Sequence, residues 1–153
     1  MFAPLSIRLM RSSDVERILE IENASFGQDA YTRNIFAEFF HKCGDLFLVA
    51  VSRRNVCGYM VTCTGGRQPG DCAELVSVAV DPKQRGKGVA TALMNSTLRR
   101  LRRRRVVQFH LMVKVTNRAA IAFYEKYGFE RERIVRRYYE DGSDGRRMAR
   151  YWK

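Results

Sequence analysis

The sequence predicts a mixed α/β protein, and three observations support this prediction. The chain has 153 residues, a length that is typical of one compact domain. Hydrophobic residues make up 46% of the chain, which is enough for a sizeable core. The apolar periodicity gives the element order β-α-α-β-β-β-α-β-α-β-β. Because no internal repeat, low-complexity segment or linker interrupts this order, we expect a single domain over residues 1–153.

Four helices are predicted, two of them from clear start signals. Ser13, with Glu16 three residues later, fits a capping box. Thr32 is a candidate cap for the second helix. The predicted helices cover about 13–24, 32–40, 86–103 and 117–127.

Alternating apolar residues and β-branched or aromatic content predict seven strands. They cover about 6–10, 46–51, 56–64, 72–80, 106–115, 129–139 and 146–152. Turns are expected at 53–55, 65–70 and 140–145. The strands at 72–80 and 106–115 flank one helix, which makes a βαβ unit. A crossover of this kind places its two strands side by side and parallel.

The four cysteines predict no metal site. Cys43, Cys57, Cys63 and Cys72 form no CxxC pair and no cluster with histidine at ligand spacing. Apolar surroundings predict reduced, buried thiols rather than disulfides. No apolar run approaches the ~20 residues of a membrane span, and the N-terminus lacks the apolar core of a signal peptide. We therefore expect a cytoplasmic protein.

The chain is strongly basic, with a net charge of +12 and six arginines between Arg99 and Arg105. A basic surface attracts nucleic acid, ribosomes, anionic membranes, acidic peptides or phosphorylated cofactors. The arginine run ends the predicted third helix, off its apolar stripe, where the helix dipole favours cations. We interpret it as a solvated helix end, roughly 25 Å from the start of that helix. Docking on a ribosome or another acidic partner stays open as a second interpretation.

A basic, glycine-bearing turn opens the third helix directly after a strand. It reads QRGKGVA over residues 84–90. The first amides of a helix have no internal partner, the helix dipole adds positive potential, and glycines let the backbone approach a ligand. Together these features predict a pyrophosphate cradle. The turn contains neither GxxxxGK[ST] nor GxGxxG, so it is not a Walker loop or a dinucleotide fingerprint.

Three linked segments resemble the GNAT superfamily of acetyl-CoA-dependent N-acetyltransferases. Residues 85–90 resemble its R/Q-x-x-G-x-G/A motif, 78–82 its cofactor strand, and 117–129 its N-xx-A-I-x-x-Y-x-x-x-G-F block. The resemblance covers about residues 5–152. Within the superfamily, the chain is most similar to RimI-type protein N-terminal acetyltransferases, through the Thr116-Asn117 step and the Tyr138-Tyr139 pair.

The resemblance implies the GNAT fold and its cosubstrate, acetyl-CoA. The fold is a mixed central sheet of six to seven strands, with a splayed parallel pair at the cofactor site and about four flanking helices. No metal is implied. The residues expected to contact the cofactor are Val78, Ala79, Val80, Arg85, Gly86, Lys87, Gly88, Val89, Ala90, Thr91, Asn117 and Tyr124.

The resemblance also implies catalytic roles. Tyr124 stands where the family has a phenol, and it is expected to protonate the departing thiolate. Related enzymes often carry Glu or His as a base where this chain has Met112, which cannot accept a proton. Glu74, at a strand position where several GNAT branches place their base, is the candidate replacement, since a carboxylate in an apolar strand is costly to bury. His110 shares the face of Met112 and is a second candidate.

Five aromatic and polar residues are expected to bind the substrate. Phe26, Gln28 and Tyr31 lie between the first two helices, where this family reads the first residues of its substrate. Tyr138 and Tyr139 resemble the peptide-clamping tyrosines of the RimI group. Adjacent strand residues point to opposite faces, so both can grip one peptide only if a turn intervenes.

The resemblance therefore implies acetyl transfer to a primary amine, chiefly the α-amino group of a protein N-terminus such as that of a ribosomal protein. Two other functions stay open at this point. One is acetylation of a small amine, such as a polyamine or an aminoglycoside. The other is a non-catalytic module that binds the ribosome or nucleic acid. The oligomeric state is not predicted.

Overall fold

The structure is a computed structural model that describes residues 4–65 and 71–152. Within these residues, four α-helices accompany a seven-stranded sheet of order β1-β2-β3-β4-β5-β7-β6. The strands are β1 (Leu5–Leu9), β2 (Phe47–Ser52), β3 (Asn55–Gly65), β4 (Cys72–Val80), β5 (Gln108–Lys114), β6 (Glu130–Val135) and β7 (Gly145–Tyr151). The helices are α1 (Val15–Phe26), α2 (Arg33–Cys43), α3 (Val89–Arg103) and α4 (Arg118–Lys126). The predicted fold class is confirmed.

The described residues fall into two compact units. Unit 1 holds residues up to 63 together with 75–104, and unit 2 holds 64, 65, 71–74 and the residues from 105 onward. Strand β4 contributes to both units, its first three residues to unit 2. In the described part of the chain, no helix is long and apolar enough to cross a membrane.

Unit 1 has its core between the first two helices and the hairpin strands. Strand β2 pairs antiparallel with β1 and β3. Phe36 from α2, Phe47 from β2 and Tyr59 from β3 are fully buried. Their rings meet with centroids 5.5–6.1 Å apart, a range in which aromatic pairs add to the free energy gained by burial.

Unit 2 contains the predicted parallel pair. Glu74 of β4 faces His110 of β5 in a parallel register, and β7 lies antiparallel between β5 and β6. Phe109 and Phe129 pack with centroids 5.2 Å apart. Asn117 caps α4 by accepting a hydrogen bond from the Ala120 amide at 3.2 Å, a role that asparagine commonly has before a helix.

The predicted capping box at Ser13 and Glu16 is wrong. Asp14 is the residue whose carboxylate accepts the Arg11 amide at 2.8 Å. The two carboxylate oxygens of Asp14 also accept hydrogen bonds from the two terminal nitrogens of Arg8, at 2.8 and 2.9 Å. A bidentate guanidinium pair with β1 outcompetes a local serine cap, and it holds the pKa of Asp14 below its ordinary value despite the opposing effect of burial. Thr32 is confirmed as the cap of α2, accepting from the Ile35 amide at 3.4 Å.

The prediction of reduced thiols is wrong for two of the four cysteines. Cys43 and Cys63 form a disulfide, whereas Cys57 and Cys72 are free. Cys43 is the last residue of α2 and Cys63 lies on β3. The fold brings their Cα atoms to 5.1 Å, which lies within the range that a disulfide spans. Spacing along the chain does not reveal this contact.

Candidate functional site

The turn before α3 is built by two glycines in left-handed conformations. Gly86 has φ 76° and Gly88 has φ 82°, a region that side chains with a Cβ rarely adopt. The helix therefore begins at Val89, not at Gly86 as predicted. The first intrahelical bond runs from the Ala92 amide to the Gly88 carbonyl at 3.0 Å. The preceding amides of α3 thus have no partner within the helix, and Gly88 has no side chain to cap them.

Strand β4 leads into this turn, and its side chains alternate strictly between a half-buried face and a buried face. Val78 and Val80 are half-buried on one face, and Ala79 is buried on the other. Asp81 then ends the strand, and its carboxylate accepts the Lys83 amide at 3.0 Å.

Gly58 on β3 is a residue that the sequence reasoning missed. A Cβ placed on it would lie 2.8 Å from Val89 Cγ1 and 3.2 Å from the Ala79 carbonyl oxygen. Glycine thus lets β3 approach both the first residue of α3 and the strand that precedes the turn. A glycine in an otherwise apolar strand was the available signal.

The basic residues of the turn differ in their contacts. The Arg85 guanidinium donates to Ser25 Oγ at the end of α1, at 3.1 Å. Lys87 is exposed. The predicted binding of phosphate by this turn would therefore depend first on its backbone amides, with the Lys87 ammonium as an additional positive charge.

The three predicted substrate residues of unit 1 lie where they were expected, around the end of α1. Phe26 is 41% exposed, and Gln28 is exposed in the short turn that follows. Tyr31 is half-buried, and its ring meets Phe36 and Phe39 edge-on at 6.0 and 5.4 Å.

Glu22 anchors this segment, and sequence reasoning missed it. The side chain is buried on α1; one carboxylate oxygen accepts the Tyr31 amide at 2.8 Å and the other accepts the Tyr59 hydroxyl. The Tyr59 hydroxyl also lies 3.0 Å from Ser77 Oγ on β4. Burial raises the pKa of Glu22 above its ordinary value, against the opposing effect of these hydrogen bonds. An acidic residue on the apolar face of a predicted helix was the available signal.

In unit 2, the candidate base Glu74 lies beside His110. Glu74 Oε2 is 3.9 Å from His110 Nε2. The Glu74 side chain is 47% exposed, so water reaches its carboxylate. The His110 side chain is 19% exposed. Met112 follows on the same half-buried face of β5.

The other ring nitrogen of His110 is buried. His110 Nδ1 has no hydrogen-bond partner among the described residues. Burial lowers the pKa of His110 below its ordinary value, and Arg147 adds to this effect, while Glu74 and Glu132 oppose it. The imidazole is therefore neutral near pH 7.

The candidate acid Tyr124 lies on α4 and is buried. Burial raises the pKa of its hydroxyl, and the nearby Tyr139 adds to the shift. The phenol consequently keeps its proton at neutral pH, as a general acid must before the reaction. Asn117 begins the same helix with an exposed side chain whose carbonyl oxygen is used as the cap, leaving the amide nitrogen as a donor.

Tyr138 and Tyr139 do not lie on a strand, contrary to the prediction of a strand to residue 139. Strand β6 ends at Val135, and a turn follows. The two rings are perpendicular, with centroids 4.9 Å apart, and Tyr138 is 48% exposed. A Cβ on Gly145 would lie 3.1 Å from Tyr138, so this glycine makes room for the tyrosine.

In unit 1, a strand, a turn with two left-handed glycines and a helix that starts with unpaired amides form an α/β arrangement whose turn suits a phosphorylated ligand. The acetyltransferase (GNAT) family model matches residues 14–129, so the chain belongs to this family. It is an acetyl-CoA-dependent N-acetyltransferase, as this family match indicates. Among the described residues, no group of His, Cys, Asp and Glu side chains could hold a metal ion.

Relatives agree with this family along almost the whole chain. An N-alpha-acetyltransferase of Saccharolobus solfataricus is 29% identical over 95% of this chain and 92% of its own. The N-alpha-acetyltransferase RimI of Mycobacterium tuberculosis is 31% identical over 96% of this chain and 92% of its own. The crystal structure of Ard1 from Thermoplasma volcanium is 28% identical and has a TM-score of 0.91, with 97% of this chain and 98% of that one covered.

Proposed function

We propose that this protein transfers the acetyl group of acetyl-CoA to the α-amino group of protein N-termini. The observation that carries the proposal is the turn at Tyr138 and Tyr139. Because the two residues lie on a turn rather than a strand, their side chains are not forced to opposite faces. Both can then grip one peptide backbone. The N-alpha-acetyltransferase relatives support the same substrate.

The turn before α3 would hold the cofactor. The amides of Gly86, Gly88, Val89, Ala90 and Thr91 suit a pyrophosphate, and the helix dipole adds to the attraction. Arg85 and Lys87 add charge, the backbone of Val78, Ala79 and Val80 would meet the acetyl carbonyl, and Asn117 and Tyr124 would contact the cofactor arm. Acetyl-CoA supplies the activated acyl group when bound.

The reaction needs a neutral amine as nucleophile. An α-amino group has a pKa near 7.7–8.0, so a modest base is sufficient to remove its proton near pH 7. Glu74 would take this proton, directly or through water. The amine nitrogen then bonds to the carbonyl carbon and the carbon–sulfur bond breaks. Tyr124 would donate its proton to the departing thiolate, the new amide nitrogen would release its extra proton to water, and Tyr124 would regain a proton from water.

Phe26, Gln28 and Tyr31 would contact the first residues of the substrate. Glu22 fixes the Tyr31 amide, which gives that segment a defined backbone position. Small-amine acetylation is the alternative substrate class. No pair of buried carboxylates, which would favour a polycation, lies among the proposed substrate residues of the described chain.

One experiment tests the proposed substrate. Purified protein is incubated with acetyl-CoA and peptides whose N-termini are free or blocked, and free thiol is followed. We expect thiol release with free N-termini alone. Release with spermidine but with no peptide would contradict the proposal. A lack of release with every amine would favour a non-catalytic binding module.

We also propose that the protein acts in the cytoplasm and contacts the ribosome through Arg99, Arg102 and Arg103, here called the α3 arginine face. All three are exposed, and α3 contains no acidic residue. Arginines four residues apart on a helix repel by roughly 0.2–0.5 kcal/mol. A phosphate-rich partner would relieve this repulsion.

Co-sedimentation with ribosomes at increasing salt tests this contact. We expect the triple variant R99Q/R102Q/R103Q to lose binding at lower salt than the wild type. The charge-matched control K42Q/R53Q/R54Q, which removes three exposed cations elsewhere in unit 1, should behave as the wild type. Equal behaviour of both variants would refute a specific contact at this face.

A further inference from the structure

Met112 occupies the position where the family resemblance implies a base, and a methionine side chain cannot accept a proton. Two side chains that can carry a proton lie in unit 2 on the same half-buried face as Met112. They are Glu74 at the beginning of β4 and His110 on β5. The parallel register pairs these two residues directly, although they are 36 positions apart in the sequence.

We propose that Glu74 and His110 form a proton-relay pair, in which Glu74 removes the proton from the substrate ammonium and passes it to Nε2 of His110. The inference rests on the proposed function and deepens its base step. The balance is simple: one N–H bond of the ammonium breaks, a carboxyl O–H forms and breaks, and an imidazolium N–H forms. The imidazolium later returns the proton to solvent.

The exposures of the two side chains assign their order in the relay. Glu74 is 47% exposed and His110 is 19% exposed, so the carboxylate is the member that a substrate can reach. The separation of 3.9 Å between Oε2 and Nε2 is longer than a hydrogen bond. A rotation of the half-exposed carboxylate, or one bridging water, closes such a gap.

The charges around His110 suit a ring that receives a proton and then releases it. Arg147 on β7 and Arg133 on β6 disfavour the imidazolium, whereas Glu74 and Glu132 favour it. Glu132 is itself bonded to Arg147 Nε at 2.9 Å. The resulting lower pKa of His110 keeps the ring neutral before the reaction, and the adjacent carboxylate stabilises the transient imidazolium.

The buried Nδ1 fixes which nitrogen takes part. A buried polar atom without a partner is unfavourable, and Nδ1 has no hydrogen-bond partner among the described residues. Nδ1 is closed off from the solvent, so proton exchange is confined to Nε2, on the side of Glu74.

A titration of His110 by NMR tests the pair without any enzymatic turnover. The chain has two histidines, His41 and His110, so the H41Q variant assigns the resonances. The wild-type protein and E74Q are titrated in full length and without ligand. We expect the pKa of His110 to fall in E74Q, because the carboxylate that favours the imidazolium is gone. An unchanged His110 titration would overturn the proposal, whether or not the protein acetylates peptides.

Kinetics with a free N-terminal peptide supply the second readout. We expect E74Q and H110Q each to lower kcat by about 100-fold, within the range for general base catalysis, with little change in KM for acetyl-CoA. The double variant should be no slower than the slower single variant, since removal of either member breaks the relay. If the kcat losses of the two single variants multiply in the double variant, the proposed relay pair is wrong.

Two further measurements separate the relay from a merely structural role. H110Q should lose the inflection that His110 contributes to the acidic limb of the kcat–pH profile. M112L, on the same face of β5, should keep the wild-type kcat and profile. If M112L behaves as H110Q does, or if H110Q retains the inflection, the assignment of His110 is wrong. An inactive wild type would instead count against the proposed function, and the NMR titration would still decide on the pair.

Discussion

The turn before α3 in unit 1 and the proposed proton-transfer residues in unit 2 differ in which part of the protein, backbone or side chain, would perform the function. In the turn, the proposed binding surface consists of backbone amides and two left-handed glycines. In unit 2, the proposed chemistry depends on side chains of Glu74, His110 and Tyr124, which come from two strands and a helix. The first region is therefore specified by a short stretch of sequence, and the second by strand pairing and burial.

This difference indicates which residues of the family motifs can be replaced without loss of the fold. The glycine turn tolerates little change, because positive φ is required at two positions. The base position can move between strands, because a neighbouring strand presents side chains to the same face. Met112 in place of an acid or a histidine is then compatible with an active enzyme, provided that Glu74 and His110 supply the proton transfer.

The largest expected effect is the loss of the proposed acid. Tyr124→Phe should lower kcat by roughly 100- to 10,000-fold, because general acid catalysis contributes about this much, with a small change in KM for acetyl-CoA. Steady-state thiol release measures both. Tyr127→Phe, at the end of the same helix, is the matched control and should stay near wild type. A mild loss in Y124F would move the acid elsewhere.

A valine in the turn should act on binding rather than on chemistry. Gly88→Val forces a β-branched residue into φ 82°, at a cost of roughly 1–2 kcal/mol. We expect KM for acetyl-CoA to rise by about tenfold, the equivalent of such a cost, with a smaller effect on kcat.

Gly142→Val is the control for backbone strain. Gly142 has φ 84° and no atom within 4 Å of an added Cβ, as at Gly88, but it lies in unit 2. Its KM for acetyl-CoA should be unchanged. Equal increases in both variants would show that strain, and not the phosphate-binding turn, is responsible.

Glu22 is a buried carboxylate in unit 1, so it should make the stability of the protein depend on pH. Its raised pKa means that the folded state binds its proton more tightly than the unfolded chain. The contribution of Glu22 to stability is therefore complete below the unfolded pKa and is lost as the pH rises through the folded value.

Glu22→Gln should abolish this dependence. The glutamine carbonyl can accept the Tyr31 amide, and its NH₂ group can donate to Tyr59. We expect the wild-type free energy of unfolding to fall as pH rises above about 4.3, with a slope of at most ~1.4 kcal/mol per pH unit, and the variant to be flatter. Urea unfolding between pH 4 and 8 measures it, with the exposed Glu38→Gln as control. Parallel curves for E22Q and wild type would contradict the assignment.

The smallest effect is expected at the arginine run. Glutamines at Arg102, Arg103, Arg104 and Arg105 should leave peptide acetylation nearly intact, since these residues follow the turn by more than three helical turns. The ion pair of Arg104 with Asp45 at 2.6 Å is exposed and contributes about 0–1 kcal/mol. A large rise in KM for acetyl-CoA would show that the run belongs to the cofactor site after all.

The sequence by itself determined the α/β class, the seven strands, the parallel pair and the glycine turn, because each follows from periodicity or from a local backbone requirement. It also determined the cap at Thr32, where one side chain accepts a hydrogen bond from an amide three residues away. The tertiary structure decided what depends on distant segments: the Cys43–Cys63 disulfide, the Asp14–Arg8 pair, the buried Glu22 network and the contact of Glu74 with His110. These contacts join residues that only packing brings together, and their free energies depend on burial and geometry that a linear pattern does not contain.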